Sequence, residues 1–153
     1  MFAIELEYSK NPKKFYLRFW IQNLPMGTFK KAGDLKFSVD TFKRILDKKK
    51  SMFLPVFDSM TATEIHDYTK INHDNEEELK RLQELVPLYK LAFFGKQFTD
   101  TQSEYLILYR DEELQFIWKN DFNQSLNEGK IAFSEFCRVF NQYLEYCTQK
   151  KLI

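Results

Sequence analysis

The chain has 153 residues, 44% apolar and 29% charged, with sixteen Phe, eight Tyr and two Trp against only two His, two Cys and four Gly. That length buries about 70% of the unfolded surface, so a core forms without disulfide or metal staples, and scattered single glycines exclude a glycine-rich phosphate loop. A net charge of +1 argues against general nucleic-acid binding, which needs a dominant basic face.

The opening Met1-Phe2-Ala3-Ile4-Glu5 has no basic n-region, so neither a signal peptide nor a membrane anchor is expected, and the protein is expected to be cytoplasmic. Phe2, Ile4, Leu6 and Tyr8 alternate with Ala3, Glu5 and Glu7, the period of a half-buried strand. After Ser9-Lys10-Asn11-Pro12, the set Phe15, Leu17, Phe19 and Ile21 alternates with Tyr16, Arg18, Trp20 and Gln22, predicting a second strand in a hairpin. Asn23-Leu24-Pro25 reads as a turn and Met26–Phe29 as a short third strand. From Ser38, taken as the N-cap, Val39, Phe42, Ile45 and Leu46 predict a helix ending in Lys48-Lys49-Lys50. Residues 52–71 are ambiguous, with a short helix over Thr61–Ile71. Asp74 is expected to cap the next helix, with Leu79, Leu82, Leu85 and Val86 inward and Pro87 as its limit. Tyr89–Phe94 then has strand character, Ser103–Arg110 and Glu113–Lys119 form a hairpin turned at Asp111-Glu112, and Ile131–Phe133 is a last short strand. Ser134 caps a terminal helix striped by Phe136, Val139, Phe140, Tyr143, Leu144 and Cys147.

With no repeat and no linker, residues 1–153 are read as a single α+β domain. Hairpins without regular β-α-β alternation favour a mainly antiparallel sheet with helices packed on one face, the two strand clusters joining in one sheet.

His66 and His73 lie near carboxylates, but seven residues across a loop is no recognised ligand spacing, and no metal or cofactor is expected. Cys137 sits near a helix start, where the dipole lowers a thiol pKa, yet no partner base is identifiable, so no catalytic residue is assigned. Charge is uneven: residues 1–72 carry +5, residues 73–128 carry −6 and residues 129–153 carry +2. The acidic run Asp74, Glu76, Glu77 and Glu78 complements a helix N-terminus and also offers a surface for a basic partner. Tyr16 and Trp20 share a strand face and are the aromatic candidates for a contact surface. An enzyme working through carboxylates in a deep cleft, and a regulatory adaptor, are the competing classes.

Phe2-Ala3-Ile4 in the first strand, Arg18-Phe19-Trp20-Ile21 in the second and Met26-Gly27-Thr28-Phe29 after it resemble bacterial immunity proteins of polymorphic toxin systems, the group catalogued as immunity protein family forty-two. Leu114–Trp118, Ile131 and the helix start at Phe133–Phe140 are similar to that family's closing hairpin and helix. The resemblance implies a non-enzymatic antitoxin that binds a cognate toxin protein in the cytoplasm and blocks it, the toxin acting there, for instance as a nuclease.

Overall fold

A computed structural model describes residues 1–27, 29–99, 105–119 and 125–153. Two antiparallel three-stranded sheets are seen, rather than the one sheet expected from the two strand clusters. The first holds β1 (Phe2–Tyr8), β2 (Phe15–Ile21) and β3 (Leu24–Met26). The second holds β4 (Tyr105–Arg110), β5 (Glu113–Lys119) and β6 (Leu126–Ala132). Ser103, expected in β4, lies outside the described residues.

Alternation sets the first sheet's sidedness. Phe2, Ile4 and Leu6 stand opposite Ile21, Phe19 and Leu17, and those three β2 residues are wholly buried. The turn and third strand fall earlier than expected. Gln22 and Asn23 both adopt left-handed backbone (φ 48° and 70°), the requirement of a two-residue hairpin whose twist matches its strands. The chain therefore reverses by Asn23, and Leu24–Met26 pairs with β2. Pro25 is tolerated because β3 is an edge strand, where no ladder donor is needed on the outer side. Thr28, part of the expected strand, lies outside the described residues. Asp111 and Glu112 (φ 52° and 60°) turn the β4–β5 hairpin in the same way.

The sheets meet through side chains. The Trp118 indole donates to the Pro25 carbonyl at 2.9 Å, and the rings of Phe2 and Phe116 stack at 6.1 Å. Gly129 makes the approach possible, since a Cβ there would lie 2.5 Å from Ile21 Cγ2.

Among the described residues, five α-helices pack with the sheets. Helix α1 spans Lys36–Lys48 and buries Val39, Phe42 and Ile45, while Leu46 points outward, 45% exposed. Ser38 is not its cap. It lies within the first turn, buried, its hydroxyl donating to the Leu35 carbonyl at 2.6 Å and standing 2.8 Å from the Tyr143 hydroxyl. Asp34 Oδ1 instead accepts from the Lys36 N–H. Helix α2 (Ala62–Tyr68) starts at a reciprocal Thr61–Glu64 capping box. Helix α3 runs through Pro87 from Glu76 to Leu91, so the expected strand at Tyr89 is helical. Proline costs one intrahelical bond and a steric clash, of order 3 kcal/mol, which burial of Leu88 and Leu91 on the far side offsets. A single short turn, α4, covers Lys96–Thr99. Helix α5 (Phe133–Gln149) begins one residue before Ser134. Its first N–H is taken by the Glu112 carbonyl at 2.9 Å, so the β4–β5 turn does the work assigned to the serine. Phe136, Phe140, Tyr143 and Cys147 pack inward on one continuous core shared by both sheets.

Candidate functional site

The outer face of the first sheet carries Tyr16, Arg18 and Trp20, the alternate set from the buried residues of β2, all half-buried. Register places Glu5 of β1 opposite Arg18. One carboxylate oxygen, Glu5 Oε2, accepts from Arg18 Nε at 3.0 Å, Arg18 Nη2 at 2.8 Å and Trp20 Nε1 at 2.8 Å. The guanidinium lies 5.0 Å from the Trp20 ring centre and 4.3 Å from that of Phe29, and Tyr16 packs on Phe29 at 5.9 Å. Such mutual contacts hold the side chains in fixed rotamers, which lowers the entropic cost of meeting a partner.

Partial burial alone pushes the Glu5 carboxyl up. The hydrogen bonds from Trp20 and Arg18, with the guanidinium charge, outweigh it and hold the group below its ordinary value of 4.5. A carboxyl whose pKa is lower folded than unfolded stabilises the fold fully above the unfolded value, and loses that contribution as pH falls through the folded one. Glu5→Gln is therefore expected to lower Tm at neutral pH, and the gap to wild type should narrow as pH falls below the ordinary carboxyl value of 4.5. Paired melting curves across that range are the measurement, and a gap constant with pH would refute the coupling.

The acidic run divides. Asn75, not Asp74, caps α3, its Oδ1 accepting from the Glu77 and Glu78 N–H groups at 2.9 and 3.3 Å. The Asp74 N–H donates to Asn72 Oδ1, which leaves the Asp74 side chain free of the capping role. Glu78 is internally committed, since it pairs with Arg81 at 2.8 Å and accepts from the Asn72 N–H. Asp74, Glu76 and Glu77 are exposed and form no ion pair among the described residues.

A cleft of about 570 Å³ lies between α2, α3 and the second sheet. It brings His66 and His73 to one place, which their spacing gave no reason to expect. Lys70 joins them on that side, and Leu82, Tyr89 and Phe93 face them across a floor of Leu106 and Ile117. His66 is buried, its Nδ1 4.0 Å from Asp67, and Asp67 in turn pairs with Lys70 at 3.2 Å. Among the described residues no carboxylate lines this cleft, and no group of three or more His, Cys, Asp or Glu is arranged to hold a metal. Tyr105, at its inner end, donates to the Ala92 carbonyl at 2.7 Å, and burial pushes its hydroxyl up to about 12. A second depression of about 440 Å³ on the same sheet contains Asp58, Asp111, Glu113 and Glu128, all exposed, with Asp58 ion-paired to Arg110. Asp111 lies 3.5 Å from the same guanidinium. Cys137 departs from expectation too, because burial pushes its thiol up where the helix dipole was expected to lower it.

Of Leu79, Leu82, Leu85 and Val86, all expected inward, only Leu85 is buried, because the others lie on a side of α3 that the fold covers incompletely, with Leu82 and Val86 half-buried and Leu79 37% exposed. Leu79, Leu82, Val86, Tyr89 and Phe93 follow helical spacing, a signal visible once the helix is allowed through the proline.

Comparison with known proteins adds a family. A family model described as Immunity protein 42 matches residues 1–146. No curated protein and no solved structure matches the chain. Among the described residues no helix is long and apolar enough to cross a membrane.

Proposed function

Because the chain belongs to the Immunity protein 42 family, we propose that it binds a cognate toxin in the cytoplasm and neutralises it by occupying the toxin's surface rather than by chemistry. The family match over residues 1–146 carries this reading. Two surfaces support it. Exposed Asp74, Glu76 and Glu77 favour a toxin with a basic face, as nucleases have where they hold nucleic acid. Tyr16, Arg18 and Trp20 are of the residue types that anchor interfaces, with Arg18 and Trp20 already held by Glu5 and Tyr16 packed on Phe29.

The test is rescue. Cells expressing the toxin encoded beside this chain's gene are expected to regain growth when the chain is co-expressed, and the purified proteins to form a stoichiometric complex. Inhibition of toxin activity should be complete at one chain per toxin. Complete inactivation by a small fraction of an equivalent would mean turnover, and would replace occlusion with catalysis.

A further inference from the structure

Helix α3 holds more apolar surface than the fold covers. Its buried residues are Leu85, Leu88 and Leu91, whereas Leu79 and Tyr89 each keep 37% of their surface exposed, and Leu82 and Val86 are half-buried. In α5, by contrast, Phe136, Phe140 and Cys147 are fully covered. The uncovered residues recur every three or four positions, so they form one stripe, and Leu82 and Tyr89 open directly into the cleft over Leu106 and Ile117. At the N-terminal end of that stripe stand Asp74, Glu76 and Glu77. Of the nearby cations, Lys70 and Arg81 are paired with Asp67 and Glu78, while Lys80 and Lys90 of α3 are exposed. The acids gathered at that one end favour an occupant that brings positive charge there together with apolar surface for the stripe.

We propose that the cleft between α3 and the second sheet receives an apolar side chain from a cationic segment of the toxin, the positive charges of that segment lying against Asp74, Glu76 and Glu77. This rests on the toxin-binding reading above and assigns it a place. The apolar insertion holds the complex and the carboxylates orient the approach, so the two features affect different rate constants.

The experiment uses the full chain and the neighbouring gene's toxin, purified as an inactive variant. Leu79→Arg/Tyr89→Arg changes two exposed positions and is expected to weaken binding about 100-fold or more, mainly through faster dissociation. Leu46→Arg, at a more exposed leucine on α1, is expected to leave binding unchanged. Hydrogen exchange on the wild-type complex should show new protection over residues 79–93 and 105–117, a readout that does not depend on any variant folding. Wild-type-like affinity in the double variant, or no protection in those segments, would overturn the cleft assignment while toxin binding stood. Failure of the toxin to bind the wild-type chain at all would remove the toxin reading and this inference with it. Retention of a bound amphipathic dye such as ANS in the cleft within the toxin complex would assign the cleft to a small molecule and overturn the proposal.

Discussion

Phe140→Ala is expected to destabilise the protein by about 3–5 kcal/mol, the largest stability effect of any single truncation considered. The ring is wholly buried and lies 4.7 Å from Phe42, 4.9 Å from Phe136, 5.6 Å from Tyr143 and 5.8 Å from both Phe19 and Phe94. These partners come from α1, α5, β2 and the segment after α3, so one side chain bonds elements that are distant in sequence. Removing it forfeits the transfer free energy of the ring and leaves a cavity that neighbours from four directions cannot collapse into. Edge and stacked ring contacts add about 0.5–1.5 kcal/mol beyond area. For a chain of this length each kcal/mol moves Tm by about 2–4 °C, so a fall of about 10 °C is expected in calorimetry. Phe140→Leu, which keeps most of the volume, should lose markedly less. A loss under about 1 kcal/mol for the alanine variant would be incompatible with a core centred on this ring.

The elements legible in the sequence are those that bury one side only. Phe15 to Ile21 alternates because one face meets the core and the other carries Tyr16, Arg18 and Trp20; β1 follows less cleanly, with Phe2 buried, Ile4 and Leu6 half-buried and Tyr8 exposed at its end, and α5 shows its stripe for the same reason as β2. Period two and period 3.6 report burial, and burial was one-sided there. What stayed hidden depended on long-range contacts. Pro87 reads as a stop, and only packing of Leu88 and Leu91 carries α3 through it. Nothing local distinguishes one six-stranded sheet from two three-stranded sheets, a choice settled by Gly129 against Ile21 and by Trp118 against Pro25. At the surfaces, the shared face of Tyr16 and Trp20 follows from alternation alone, but the clamp at Glu5 needs the β1–β2 register. Glu78 looked equivalent to Glu76 and Glu77 until Arg81 and the Asn72 N–H claimed it. The cleft needed α2, α3 and the second sheet assembled, which no local pattern encodes.

That distinction among the glutamates shapes the largest effect expected on the association rate. Reversing Glu76 and Glu77 to Lys should slow association with the toxin by about 10- to 100-fold at low salt. Both are exposed, so their field reaches an approaching partner through water, and the Debye length of about 8 Å at physiological ionic strength limits that reach. The deficit should therefore shrink as salt rises, while the dissociation rate changes much less. Glu78 is left alone because reversing it would break its pairing with Arg81 and its bond to the Asn72 N–H, mixing folding with binding. The reversal also places cations at the positive end of α3, and loss of each favourable charge costs about 0.3–1 kcal/mol. Melting curves for the variant must accompany the kinetics so that this cost is separated from recognition. Stopped-flow or surface-plasmon association rates from about 20 to 500 mM salt, over which the Debye length falls from about 21 Å to about 4 Å, supply the decisive plot. An unchanged rate with an unchanged salt slope would show that the toxin approaches another face, and would leave the Tyr16, Arg18 and Trp20 surface as the place to look.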